Sequence, residues 1–253
     1  MRAHSIRMNE SKEEHTMPSP IPQYRTWDDA KKLAREFRYD EAIALYRSVE
    51  NDMKNISGWR PDNPERDNLF EQAMFFGDYC GALADSGHYA EAKEAGEFSL
   101  KCVEKGKFST LKYIYYNMGN LFLFQKEYEQ ACKWYEIALD GVKIFYNEAN
   151  NHLVNYGIAM YCSGKTDKAK EIFQLAISSS KDTIYNRSFE PFFYISKICG
   201  TQRDEKESQK YRKMYLTRLK KYSRTEIEWA TSTMEDGKEI MADYEGEVSG
   251  SLL

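Results

Sequence analysis

The feature that most constrains the fold is a small residue that returns at a long, nearly constant interval. An alanine preceded by a polar turn closes YDEA at Ala42, YAEA at Ala92, YEQA at Ala131 and TDKA at Ala169, at steps of 50, 39 and 38 residues. A further step of 39 reaches Ser208 in EKESQKY, a degenerate fifth copy. Twelve residues before each anchor stand Ala30, Cys80, Gly119, Gly157 and Ser196, all small. Three residues beyond those come Leu33, Leu83, Phe122, Met160 and Cys199. Four residues after the anchors come Tyr46, Gly96, Tyr135, Phe173 and Arg212. Two helices approach closely only where a small residue removes the side chain between them, and large residues one turn away fill the groove beside the crossing. Apolar residues recur at steps of three and four on both sides of each turn, so each copy reads as a pair of amphipathic helices. One such hairpin cannot bury its apolar faces alone, which makes a stack of hairpins the expected solution.

Composition agrees. In 253 residues there are only 6 Pro and 14 Gly, and the 19 Tyr outnumber the 13 Phe, an excess suited to half-exposed contact surfaces. A net charge of −4 argues against non-specific nucleic-acid binding, which needs a basic footprint. No apolar run approaches the ~20 residues a membrane-spanning helix needs, so no membrane insertion is expected. The first residues, MRAHSIRMNESKEEHT, have no apolar core of the secretory kind. Cys80, Cys102, Cys132, Cys162 and Cys199 are odd in number, scattered and without a CxxC pair. Such a set points to reduced thiols and a cytoplasmic setting.

The repeat resembles the tetratricopeptide repeat (TPR) family. The third copy carries the family's positions most fully, through Gly119, Phe122, Tyr128, Ala131, Tyr135 and Ala138; the fourth follows through Gly157, Ala169, Phe173 and Ala176. The steps of 38 and 39 exceed the family's usual ~34 residues and resemble the longer-period kinesin light chain and bacterial peptide-sensing (Rap-like) branches. The resemblance implies an all-α, right-handed superhelix of antiparallel helix pairs, about five repeats with a C-terminal capping helix. The organisation expected is a flexible leader at 1–22 and a solenoid at 23–223 with an insertion loop at 55–68. A capping helix at 224–245 and a frayed tail at 246–253 follow.

No HExxH, P-loop, GxGxxG or GxSxG occurs and the four histidines are isolated, so a non-enzyme without cofactor or metal is expected. The family's first helices line a concave groove, and its groove positions carry over to Tyr113, Tyr116, Asn117, Asn120 and Phe124 in the third copy, to Asn151, Asn155 and Tyr161 in the fourth and to Tyr194 in the fifth. An asparagine amide can donate to and accept from one peptide unit, gripping an extended backbone without demanding a sequence. The competing reading bonds these asparagines to the neighbouring repeat and uses the tyrosines for packing. The family's chaperone-tail carboxylate clamp is half present: Asn120 and Asn155 fit it, but Tyr116, Glu190 and Tyr194 stand where its basic residues would be. The implied function is a TPR adaptor binding a protein or peptide partner. The alternatives are a dedicated inhibitor, chaperone or immunity-type protein wrapping one effector, and a peptide-sensing regulator.

The C-terminal quarter changes sign. Lys206 to Arg224 holds eight Lys or Arg against one Glu, and Thr225 to Leu253 holds eight acidic residues against Lys238. The basic stretch is open to three readings: a solvated outer face, internal pairing with the acidic tail, or docking of an acidic partner with the tail as competitor.

Overall fold

The computed structural model describes residues 22–56, 64–109, 111–140, 147–179, 189–232 and 234–250. Every helix or strand among them is an α-helix, and the chain forms two compact units divided after Ile56. The first unit is a hairpin of α1 (Pro22–Arg35) and α2 (Tyr39–Lys54), with Trp27 and Ala30 of one helix and Ala42, Ile43, Tyr46, Val49 and Met53 of the other buried. The second unit holds α3 (Pro64–Asp85), α4 (Tyr89–Gly106), α5 (Lys112–Phe124), α6 (Tyr128–Leu139), α7 (Asn147–Cys162), α8 (Thr166–Ser179), α9 (Glu190–Thr201), α10 (Glu205–Leu219), α11 (Arg224–Thr231) and α12 (Gly237–Gly250).

In the second unit the helices pair as α3/α4, α5/α6, α7/α8 and α9/α10. Each first helix also touches the next first helix, whereas the second helices α4, α6, α8 and α10 do not touch one another. The stack is therefore tighter along its first-helix layer, the inner face of a curved solenoid.

The small residues do what the spacing requires. A Cβ at Gly119 would lie 2.5 Å from the Tyr135 ring, and one at Gly157 would lie 2.5 Å from the Phe173 ring. Gly96 replaces the usual aromatic because Met118 fills its space from the following repeat, with its sulfur 2.3 Å from where a Cβ would stand. In the fifth copy Ser196 and Ser208 meet at the crossing and each hydroxyl donates to the other's backbone carbonyl, both at 3.0 Å.

The turns are identical in all five hairpins. Phe37, Gly87, Lys126, Gly164 and Arg203, each five residues before its anchor, all lie in the left-handed region, with φ of 61°, 85°, 64°, 80° and 61°. The next residue's N–H then donates back to the carbonyl of Leu33, Leu83, Phe122, Met160 or Cys199, closing the helix end with a Schellman-type bond. The same next residue accepts from the anchor N–H, opening the second helix.

Three expected boundaries change. Pro64–Asn68, read as part of the 55–68 loop, is the first turn of α3; a proline at the opening position with Glu65 and Asp67 behind it is a favourable helix start. Residues 57–63 lie outside the described part, as do 1–21 of the leader and 251–253 of the tail. The 224–245 capping helix is two helices, broken where the Thr231 carbonyl comes so close to Gly237 that a Cβ there would lie 2.3 Å from it. The second of them, α12, runs on through 246–250.

Candidate binding face

The inner face is assembled from α3, α5, α7 and α9. Tyr113 of α5 donates to the Met74 carbonyl of α3 at 3.1 Å. One turn on, the Asn117 amide donates to the Gly77 carbonyl at 2.9 Å, in a notch left open by Gly81. Asn155 of α7 is 2% exposed and donates to Asn120 Oδ1 and to Tyr116 Oη of α5, both at 2.9 Å. Asn120 Oδ1 also accepts from Tyr135 Oη at 2.8 Å. The amides thus join repeat to repeat, the second of the two readings left open by the sequence.

The aromatics divide between core and surface. Tyr194 is fully buried, stacked on Phe173 with centroids 5.3 Å apart, and Tyr161 leans on it at 4.9 Å. Tyr113, Tyr116, Phe124 and Tyr161 are half-buried and retain surface on the inner layer. Asn151 belongs to α7, and its side chain is outside the described part. His152 stacks on Tyr116 at 3.8 Å; burial pushes its pKa down to about 4, so the ring is neutral near pH 7.

The fold also brings to this face residues that the repeat pattern did not select. The segment joining α11 to α12 returns to it across a long sequence separation. Met234 packs on the core and lines a narrow recess with Leu123, Phe124 and Ile158. Glu235 accepts from Tyr128 Oη at 2.5 Å and lies 3.6 Å from Lys126 Nζ. Lys197 of α9 donates to Asp236 at 2.5 Å and to Glu239 at 2.9 Å. Partial burial works against the Lys197 charge, but these two carboxylates outweigh it and hold its pKa above the ordinary lysine value. Only the clustering of acids after Glu226 hinted at this contact in the sequence.

The basic stretch meets the acidic tail as well. Arg212 pairs with Asp243 at 2.5 Å, Lys220 with Glu247 at 2.6 Å and Arg224 with Glu245 at 3.1 Å. The cysteines are free thiols, and burial pushes Cys80 up to about 12 and Cys102 up to about 11, unsuited to nucleophilic work at neutral pH. Among the described residues no group of three or more His, Cys, Asp or Glu could hold a metal, and no helix is long and apolar enough to cross a membrane.

No protein-family model matches the sequence, and neither does any curated protein. Solved structures do. A putative kinesin light chain of Podosopora anserina with nearly identical TPR-like repeats is 12% identical, with a TM-score of 0.59 over 81% of this chain and 99% of that one. PilF of Pseudomonas aeruginosa is 14% identical, with a TM-score of 0.57 over 88% and 90%. MamA of MSR-1 is 14% identical, with a TM-score of 0.51 over 76% and 92%. Identities this low speak for architecture, and the architecture is an all-helical TPR-type α-solenoid.

Proposed function

We propose that the chain is a non-catalytic adaptor whose inner face takes a peptide or protein partner. The observation that carries this is the first-helix layer itself, tightened by amide bonds between repeats and still presenting Tyr113, Tyr116, Phe124 and Tyr161 as half-buried aromatic surface. Tyrosines of this kind offer contact area at low entropic cost, with a hydroxyl to orient a partner. Asn117, Asn120 and Asn155 serve the site by fixing the spacing of α3, α5 and α7, and the aromatics beside them make the contact. The long repeat period, together with the likeness to the kinesin light chain repeats, supports the longer-period branch of the TPR family.

The test is site-specific photocrosslinking in the native host, with a benzophenone amino acid at Tyr113 or Phe124 on the inner face or at Ile137, which is 43% exposed on α6. Crosslinks from the inner positions and none from Ile137 are expected. Adducts only from Ile137 would move the binding surface to the outer face. A peptide-sensing regulator is the second reading, favoured by the C-terminal segment already lying on the inner face.

A further inference from the structure

From this seated segment, and resting on the adaptor reading above, we infer that the inner face between α5 and α9 is a receptor for an acidic peptide carrying a methionine, and that residues 234–239 are its intramolecular competitor. Each acidic side chain of the segment has a counterpart on the solenoid. Glu235 meets Tyr128 and Lys126, while Asp236 and Glu239 meet Lys197. Met234 supplies the apolar anchor among Leu123, Phe124 and Ile158. Two cations set apart, Lys197 on the face and Lys126 in the α5–α6 turn at its border, with an apolar recess near the second, read a short chain segment by charge and by one side chain.

The seat is firmest where Lys197 meets the mostly buried Asp236 and loosest at Lys126. Lys126 is 62% exposed and Glu235 49%, so their pairing is screened by water and contributes little. Met234 is only half-buried. Among the described residues three backbone bonds shape the connection, from Met234 N–H to the Thr231 carbonyl, from Gly237 N–H to the Met234 carbonyl and from Ile240 N–H to the Asp236 carbonyl. The flanking helices are anchored separately, by buried Ile227 and Ala230 on α11 and Ile240 on α12. The segment can therefore leave, unwinding only the first turn of α12, while α11 and the rest of α12 stay, and a partner of the same chemistry can take its place. Tethering gives the internal segment an effective concentration on the order of millimolar, so an external peptide binds the intact chain weakly.

The probe is a fluorescent peptide with the sequence of residues 230–241, titrated against the full-length chain and followed by anisotropy. The triple variant Met234→Ala, Glu235→Gln, Asp236→Asn empties the recess, releases Lys126 and leaves Lys197 with Glu239 as its carboxylate from the segment, and it should bind the peptide at least about tenfold more tightly than the unaltered chain. Adding Lys197→Glu should abolish that gain, and a peptide with Gln, Asn and Gln at positions 235, 236 and 239 should not bind. Equal affinity in the unaltered and triple-variant chains, or equal binding of the neutral peptide, overturns the inference. Should the triple variant misfold, hydrogen exchange on the unaltered chain decides: saturating peptide should expose 234–239 to exchange while α11 and α12 beyond Glu239 keep their protection, and an unchanged pattern overturns it. A concentration-dependent dimer that the peptide dissociates would assign the seat to a second copy of the chain and overturn the inference in that form. Inner-face crosslinks persisting where these outcomes fail would leave the adaptor reading standing and remove only this one.

Discussion

The Asn120–Asn155 pair shows what a single residue decides here. Both sit at groove positions by count, yet Asn155 spends its amide on Tyr116 and Asn120. Replacing Asn155 with Ala leaves Asn120 Oδ1 with the Tyr135 hydroxyl and removes both amide bonds from Asn155 of α7 to α5. A loss of about 1–3 kcal/mol is expected, read as a lower midpoint in urea at unchanged slope. A wholly groove-facing asparagine would instead lower partner affinity and leave the midpoint alone. Spacing located these residues but could not say which way their amides turn, because an asparagine on a first helix suits either role. His152 supplies a second residue-scale test. Its pKa of about 4 in the fold lies below the 6.5 of the free side chain, so between those values the unfolded chain takes up a proton that the folded chain refuses. Stability from this group is complete above pH 6.5 and falls as the pH drops toward 4, by at most about 3 kcal/mol. His152→Gln should flatten that part of the profile in calorimetric scans at stepped pH.

At the scale of the element, the five turns were the most legible part and also the most instructive omission. Anchor alanines and small crossing residues were found by spacing because sterics leave no other residue type there. The left-handed turn position was visible only at Gly87 and Gly164, since Phe37, Lys126 and Arg203 adopt the same conformation without advertising it. The Schellman bond behind each of them outweighs the local strain. Arg203→Gly should therefore stabilise the chain modestly, by up to about 1 kcal/mol, after the entropy of glycine is set against the relief. Gly164→Ala should cost about 1–2 kcal/mol even though a Cβ there meets nothing within 4 Å, because the penalty is conformational. Both are checked by thermal unfolding, and opposite signs from two equivalent positions would confirm that one turn is repeated. The split of the expected capping helix has a similar origin: Gly237 is demanded by its approach to Thr231, a contact that helical spacing through Ile227, Met234 and Ile240 could not reveal.

At the scale of the molecule, repeats of the second unit touch mainly their neighbours, whereas the segment before α12 reaches back to the start of α6. Sequence periodicity carries the first kind of contact and is blind to the second, because a bond between Tyr128 and Glu235 follows no interval. The two kinds of contact predict different responses to damage. Removing residues 224–253 takes away Ile227 and Ile240, both fully buried against the later repeats, at roughly 1.5–3 kcal/mol of lost burial each. It also uncovers the apolar surface around Tyr215 and Leu219, which belong to the same cluster. In a solenoid whose stability is a sum over repeats and their interfaces, that loss stays near the end where it is inflicted. Hydrogen exchange should speed up in α9 and α10, and less in α7, while α3 and α4 keep the protection they have in the full chain. The substitutions at Met234, Glu235 and Asp236 should leave exchange in α9 and α10 nearly unchanged, since Ile227 and Ile240 remain in place. Equal acceleration from α3 to α10 in the truncated chain would mean that the second unit unfolds as one body, with the C-terminal helices closing all of it.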